Sequence, residues 1–214
     1  MSTPTLLFDL DGTLINSELG ITRCAAHAFA QLGEPVPDDA VLRSWIGPPL
    51  RESFMPLLRD AARVERAVQL YRERYEATGW TEHAVYRGIA EAITALHASG
   101  RRLAVVTAKH EAHARKIVEH LPFGHCFSEI TGATPDGRIG HKPELIAEAL
   151  ARLDVPAADC TMIGDRSMDI EGARHHGMRG VGVLWGFGSE DELRAAGASR
   201  LVRTPAELSV ALAA

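Results

Sequence analysis

Short apolar runs ending in polar residues, set between helical patterns, limit what this chain can fold into more than any other feature. Thr5-Leu6-Leu7-Phe8, Leu103-Ala104-Val105-Val106-Thr107, Cys160-Thr161-Met162-Ile163-Gly164 and Val181-Gly182-Val183-Leu184 each read as a strand buried on both faces. Helical patterns separate them: Ile89, Ile93 and Leu96 up to Gly100, a polar stretch His110–His120, Pro143–Leu153, and Met168–His176. Phe127–Thr131 is a further strand candidate, and Leu201-Val202 with a last helix closes the chain. Strands alternating with helices predict an α/β fold, a doubly wound, Rossmann-like parallel sheet with helices on both faces.

The first strand is separated from the others by a different texture. From Ser17, the residues Ile21, Ala25, Ala28, Phe29 and Leu32 recur at helical spacing, and Gly33 and Pro35 end the pattern. Shorter helices fit Asp38–Trp45, with Asp38 as N-cap, then Leu50–Arg59 and Arg63–Thr78, with Gly47-Pro48-Pro49 breaking the run. No strand signal occurs between residues 17 and 80. The expected organisation is an α/β core of residues 1–14 and 84–214, with residues 15–83 forming a small helical domain inserted after strand one. Glutamates interrupt the arginines of Arg63–Arg74, which reads as a solvated helix face.

Composition narrows the function classes. The chain of 214 residues is 46% hydrophobic and 24% charged, an ordinary globular balance. A net charge of −5 without a basic stripe argues against nucleic acid as a partner. No stretch approaches the roughly 18 apolar residues of a membrane span. Met1-Ser2-Thr3-Pro4-Thr5 lacks the basic region and apolar core of a signal peptide. Cys24, Cys126 and Cys160 fit neither a disulfide framework nor a zinc site, so a cytoplasmic protein, monomeric or homodimeric, is expected. His110/His113 and His175-His176 lack a matching third ligand. Of 23 basic side chains only Lys109, Lys116 and Lys142 are lysines, so each lysine invites a question.

In open parallel sheets the ligand site lies at the carboxyl ends of the strands. Four polar clusters are expected there: Asp9/Asp11, Thr107, the Lys142 region, and Asp165/Asp169. Asp9 and Asp11 are two apart, so on extended chain they point the same way, and they repel unless a cation intervenes or one keeps its proton. Asp11-Gly12 also reads as a hairpin turn, a reading weakened here because a helical pattern rather than a second strand follows it. Asp165 and Asp169 share one face where a helix begins; capping explains one such acid well and the second poorly. Asp9, Asp165 and waters would make the oxygen shell that magnesium prefers. Thr107 precedes a helix whose free amides suit a phosphate oxygen, although threonine is a common N-cap. Lys142 can bridge a carboxylate and a phosphate, although an exposed lysine is usually solvated surface.

Asp-Leu-Asp-Gly-Thr-Leu, Val-Val-Thr, Lys-Pro-Glu and Gly-Asp-x-x-x-Asp, in this order, resemble the four motifs of the haloacid dehalogenase-like hydrolase superfamily. The likeness covers nearly the whole chain, and the helical insertion is similar to that superfamily's type-I cap. It implies a magnesium-dependent phosphatase acting on a small-molecule phosphate ester. Asp9 would be the nucleophile forming an aspartyl-phosphate, and Asp11 the acid and base. Thr107 with the nearby Ala108 amide would hold phosphoryl oxygens, and Lys142 would restrain Asp9. Asp9, the Asp11 carbonyl and Asp165 would bind magnesium, with Asp169 a ligand through water or an anchor behind the ligands. An acid at position 11 is absent from the superfamily's dehalogenases and points to phosphoryl chemistry. Gly20-Ile21-Thr22, Trp45-Ile46-Gly47-Pro48-Pro49-Leu50 and Tyr86-x-Gly88 are similar to phosphoglycolate phosphatases and bacterial 5'-nucleotidase-like phosphatases. From charge and loop position alone, Arg51 is expected to meet an anionic leaving group. The competing expectations are a phosphomutase of the same superfamily and a non-catalytic regulatory or binding module.

Overall fold

A computed structural model describes residues 5–212. The sequence reading of Met1–Pro4 as lacking a leader lies outside the described residues. In chain order the elements are β1 (Thr5–Phe8), β2 (Ile15–Asn16), α1 (Glu18–Gln31), α2 (Asp39–Ser44), α3 (Leu50–Leu58), α4 (Ala61–Ala77) and β3 (Ala84–Val85). They continue with α5 (Ile89–Ala98), β4 (Leu103–His110), α6 (Glu111–His120), β5 (Phe127–Ala133), α7 (Lys142–Leu153) and β6 (Cys160–Gly164). The last are α8 (Ser167–His175), β7 (Arg179–Val183), α9 (Glu190–Ala196), β8 (Arg200–Val202) and α10 (Leu208–Ala211).

Two compact units result. One combines the segment ending at Ile15 with the segment starting at Val85; the other is Asn16–Ala84. The chain crosses between them at β2 and β3, which pair with each other. The first unit is built on a six-stranded sheet in the order β5-β4-β1-β6-β7-β8, every neighbouring pair parallel. β1 lies centrally between β4 and β6, which explains its unbroken apolar run: Leu6, Leu7 and Phe8 are all fully buried. On one face Leu7, Ala104, Val106 and Met162 pack with Leu145, Ile146, Ala149 and Leu153 of α7. The register Phe8↔Ile163 and Phe8↔Val105 brings Asp9, Val106 and Gly164 to one edge of the sheet, at the carboxyl ends of its strands.

The structure departs from the sequence reading in a few places. Asp11-Gly12 opens a tight turn, with Gly12 at φ +90°, its amide donating to the Ile15 carbonyl at 2.8 Å and Asp11 bridging to Ile15, but the two-residue strand β2 that follows pairs with β3 and not with β1, so no hairpin forms. β4 runs on to His110, three residues beyond the expected end at Thr107. Helix α9 had no counterpart in the sequence pattern. It is short, buries only Leu193 and Ala196, and is started by Ser189, whose side chain accepts from the Glu192 amide. Two buried positions are too few to produce a readable period.

In the helical unit α1–α4 enclose an aromatic cluster. Ring centroids of Trp45 and Phe54 are 5.1 Å apart, and those of Phe29 and Phe54 are 5.7 Å apart. Asp38 caps α2 and Asp60 caps α4 through their side chains. Arg74 holds Glu82 through two hydrogen bonds, at 2.8 and 3.1 Å, which closes the end of α4 against the segment leading to β3. No helix among the described residues is long and apolar enough to cross a membrane.

Truncating Phe54, the fully buried member of the cluster, leaves a cavity among the aromatic rings. Phe54→Ala is expected to destabilise the helical unit by about 3–5 kcal/mol, read by urea denaturation followed by tryptophan fluorescence.

Candidate active site

The centre of the site is the ammonium of Lys142, at the first position of α7. It donates to Asp9 Oδ1 at 2.8 Å and to the Val106 carbonyl at 2.9 Å, and lies 2.7 Å from Asp169 Oδ1. The side chain is almost wholly buried. Pro143 behind it suits the first turn of a helix, and the Glu144 carboxylate accepts from the His141 amide. Gly172 of α8 leaves room for the lysine stem, since a β-carbon there would lie 2.8 Å from Lys142 Cγ. Burial alone would push the ammonium toward the neutral form, but Asp169 and Asp9 outweigh it and raise its pKa. Lys142 is therefore a permanent cation.

Asp9 follows the last residue of β1, and its amide donates to the Ile163 carbonyl of β6 at 2.9 Å. Asp165, one residue beyond β6, is fully buried. Its Oδ1 accepts from the Thr13 hydroxyl at 3.2 Å, and its Oδ2 from the Phe187 amide at 2.8 Å. Burial, with Asp169 and Asp9 adding like charge, holds its carboxyl well above the usual range, although the Phe187 amide opposes this. Asp169 accepts from the Arg166 amide at 3.1 Å through Oδ2. The acid that caps the start of α8 is therefore Asp169, and Asp165 is tied down from elsewhere.

Asp9, Asp165 and Asp169 each present a carboxylate oxygen, all within 4.8 Å of one another. This is the only group of three or more possible ligands among the described residues. An all-oxygen donor set suits magnesium or calcium better than zinc. Charge points the same way. The buried acids Asp9, Asp11, Asp165 and Asp169 face the ammonium groups of Lys142 and Lys109, so with every acid ionised the negative charge is in excess by about the charge of one divalent cation.

Asp11 is held differently from the other acids. Lys109 Nζ lies 3.1 Å from its Oδ2, whereas its buried Oδ1 has no hydrogen-bond partner. Thr107 is buried next to Val106, whose carbonyl shares the Lys142 ammonium with Asp9, and Thr107 Oγ1 accepts from the Lys109 amide at 3.2 Å. Ala108 is partly buried and packs against the core beside α7. Arg51 belongs to the helical unit, where its guanidinium makes two hydrogen bonds to Glu65, at 2.6 and 2.9 Å. Sequence reasoning did not assign Lys109, Thr13 or the Phe187 amide. Lys109 stood out as one of the chain's three lysines and Thr13 as part of the Asp-Leu-Asp-Gly-Thr-Leu segment, whereas the Phe187 amide left no signal.

Burial pushes the Asp9 carboxyl from its ordinary 3.8 up to about 7; Lys142 opposes the rise, while Asp169 and Asp11 add to it. Across that window the native protein keeps a proton that the unfolded chain has lost, so native stability falls as pH rises. In chelator, the unfolding free energy is expected to fall more steeply between about pH 4 and about pH 7 than it does for Asp9→Asn. Parallel slopes in urea denaturation at each pH would refute that assignment.

The chain matches the family model described as haloacid dehalogenase-like hydrolase over residues 6–183. It is 47% identical over 193 residues to a 5'-nucleotidase of Pseudomonas aeruginosa, covering 90% of this chain and 87% of that protein. It is 39% identical over 191 residues to tyrosine-protein kinase PtkA of Mycobacterium tuberculosis, covering 89% of this chain and 65% of that protein. Among solved structures it is similar to a predicted phosphatase from Clostridium acetobutylicum, with a TM-score of 0.94, 35% identity and 99% of each chain covered. Across sheet order, motif positions and relatives alike, this chain belongs to the haloacid dehalogenase-like hydrolase family.

Proposed function

We propose that this phosphatase of the haloacid dehalogenase-like family hydrolyses a small-molecule phosphate monoester with magnesium bound, by way of a phosphoryl group carried on Asp9. The observation that carries the reading is that two neighbouring acids each have one oxygen held by a lysine and the other left open. One oxygen of Asp9 is fixed by Lys142, which leaves the other to attack phosphorus. Asp11 keeps one buried oxygen without a protein partner, as a group that exchanges protons with substrate requires.

In the first step an Asp9 oxygen forms a bond to phosphorus as the ester P–O bond breaks, and protonated Asp11 gives its proton to the departing oxygen. In the second step Asp11 takes a proton from water, whose oxygen attacks phosphorus and releases phosphate and free Asp9. The Thr107 hydroxyl and the Ala108 amide hold phosphoryl oxygens. Asp9, Asp165 and the Asp11 carbonyl would hold the magnesium, with Asp169 ligating directly or through water. When bound, the ion neutralises charge on the phosphoryl group. The substrate class is a 5'-nucleotide, in keeping with the name of the Pseudomonas relative, or a phosphoglycolate-like ester, in keeping with that of a relative from Colwellia psychrerythraea.

Asp9→Asn is expected to lower kcat on the order of 10⁴-fold or more. Asp11→Asn is expected to lower it by about 10²- to 10⁴-fold. Chelation abolishes turnover and added magnesium restores it. The measurement is release of inorganic phosphate from a nucleoside 5'-monophosphate, phosphoglycolate, sugar phosphates and p-nitrophenyl phosphate. Phosphate release separates hydrolysis from transfer to another hydroxyl. A protein no more active than Asp9→Asn on any ester would overturn the reading in favour of a binding module.

Residues 15–83 are assigned the choice of leaving group, with Arg51 as the contact for an anionic one. That role requires Arg51 to exchange its Glu65 partner for the substrate. Arg51→Ala is then expected to raise KM for phosphoglycolate several-fold and to leave p-nitrophenyl phosphate turnover unchanged. Identical kinetics on both esters would remove Arg51 from the site.

A further inference from the structure

The end of β4 is irregular in a way that delivers one side chain. Val106 pairs with Thr131 and His110 with Ala133, so Thr107, Ala108 and Lys109 stand opposite the single residue Gly132. The strand therefore bulges, and bulges re-aim side chains beside active sites. Gly132 is what lets the bulge lie so close: a β-carbon there would fall 2.7 Å from the Lys109 carbonyl. Glu111 fastens the bulge from the far side, its Oε2 accepting from the Gly132 amide at 3.2 Å. The Thr107 hydroxyl accepts from the Lys109 amide and ties the bulge internally. Lys109 emerges with its side chain only 6% exposed and its ammonium 3.1 Å from Asp11 Oδ2.

We infer that Lys109 is the positioning residue for Asp11: it holds Oδ2 so that the unpartnered Oδ1 faces the ester oxygen. An aspartate after the end of a strand can rotate about two side-chain bonds, and only one orientation places an oxygen where a proton must pass. The buried Oδ1 without a partner is what remains when the ammonium has taken the other oxygen. Lys142 fixes Asp9 in the same manner, so the two neighbouring acids are each set by their own lysine. The inference rests on the hydrolytic reading above.

The test compares leaving groups. A nitrophenolate departs with little help from an acid, whereas the alkyl oxygen of a nucleoside 5'-monophosphate or phosphoglycolate needs its proton. Lys109→Met is expected to lower kcat on the better of those two alkyl esters by at least about tenfold more than on p-nitrophenyl phosphate, with KM nearly unchanged. Lys109→Arg, which restores a cation, recovers part of that loss. Thermal denaturation confirms that each variant is folded, and if Lys109→Met does not fold the comparison is made on Lys109→Gln and Lys109→Arg. Equal losses on alkyl and aryl esters would mean that Lys109 only supports the fold, and a change confined to KM would make it a substrate contact; either overturns the inference. Wild-type protein no more active than Asp9→Asn on every ester would overturn the hydrolytic reading itself, a distinct outcome.

Discussion

A single buried ammonium organises this molecule. Lys142 reaches a carboxylate after β1, a carbonyl near the end of β4 and a carboxylate in the first turn of α8, so three parts of the chain remote in sequence converge on one nitrogen. Taking a charge out of water costs several kcal/mol unless partners surround it, so each member of this group makes the burial of the others tolerable. The cooperation runs in both directions. The acids keep the lysine cationic, and the lysine limits how far burial raises Asp9.

The site divides into a fixed part and an exchangeable part. Asp165 has both oxygens engaged, by a hydroxyl from the turn after β1 and an amide from the loop after β7. Asp9 and Asp169 share the lysine. These three acids also lie close enough together to hold a cation, and little about them can move without breaking several bonds. Asp11 keeps one buried oxygen with no hydrogen-bond partner. In the proposed reaction Asp11 passes the proton while the other acids hold charge in place.

How much of this was legible in the sequence depended on whether the signal was local. β1 and β6 were readable because both faces of each are covered, which leaves an unbroken apolar run on the page. Asp9 and Asp11 stood out because two acids directly beyond such a run are costly without a purpose. Lys142 was suggested by its rarity and by the proline after it. The rest needed three dimensions. Lys109 gains its meaning from an irregularity in strand pairing, and a bulge has no period to read. Thr13 and the Phe187 amide matter only because Asp165 lies between them. The hairpin reading of Asp11-Gly12 was set aside because a helical pattern follows it, and β2 pairs with β3 rather than with β1.

The pairing of β2 with β3 also bears on how the chain assembles. β1 is central in its sheet, yet its partner β4 is made only after the whole helical insertion. Closing so long a loop carries an entropic cost, which grows with the logarithm of the freely moving length. An insertion that folds as its own unit and brings its two ends together as paired strands removes most of that length from the closure. Pairing the two ends of the insertion thus lowers the entropic cost of joining β1 to β4.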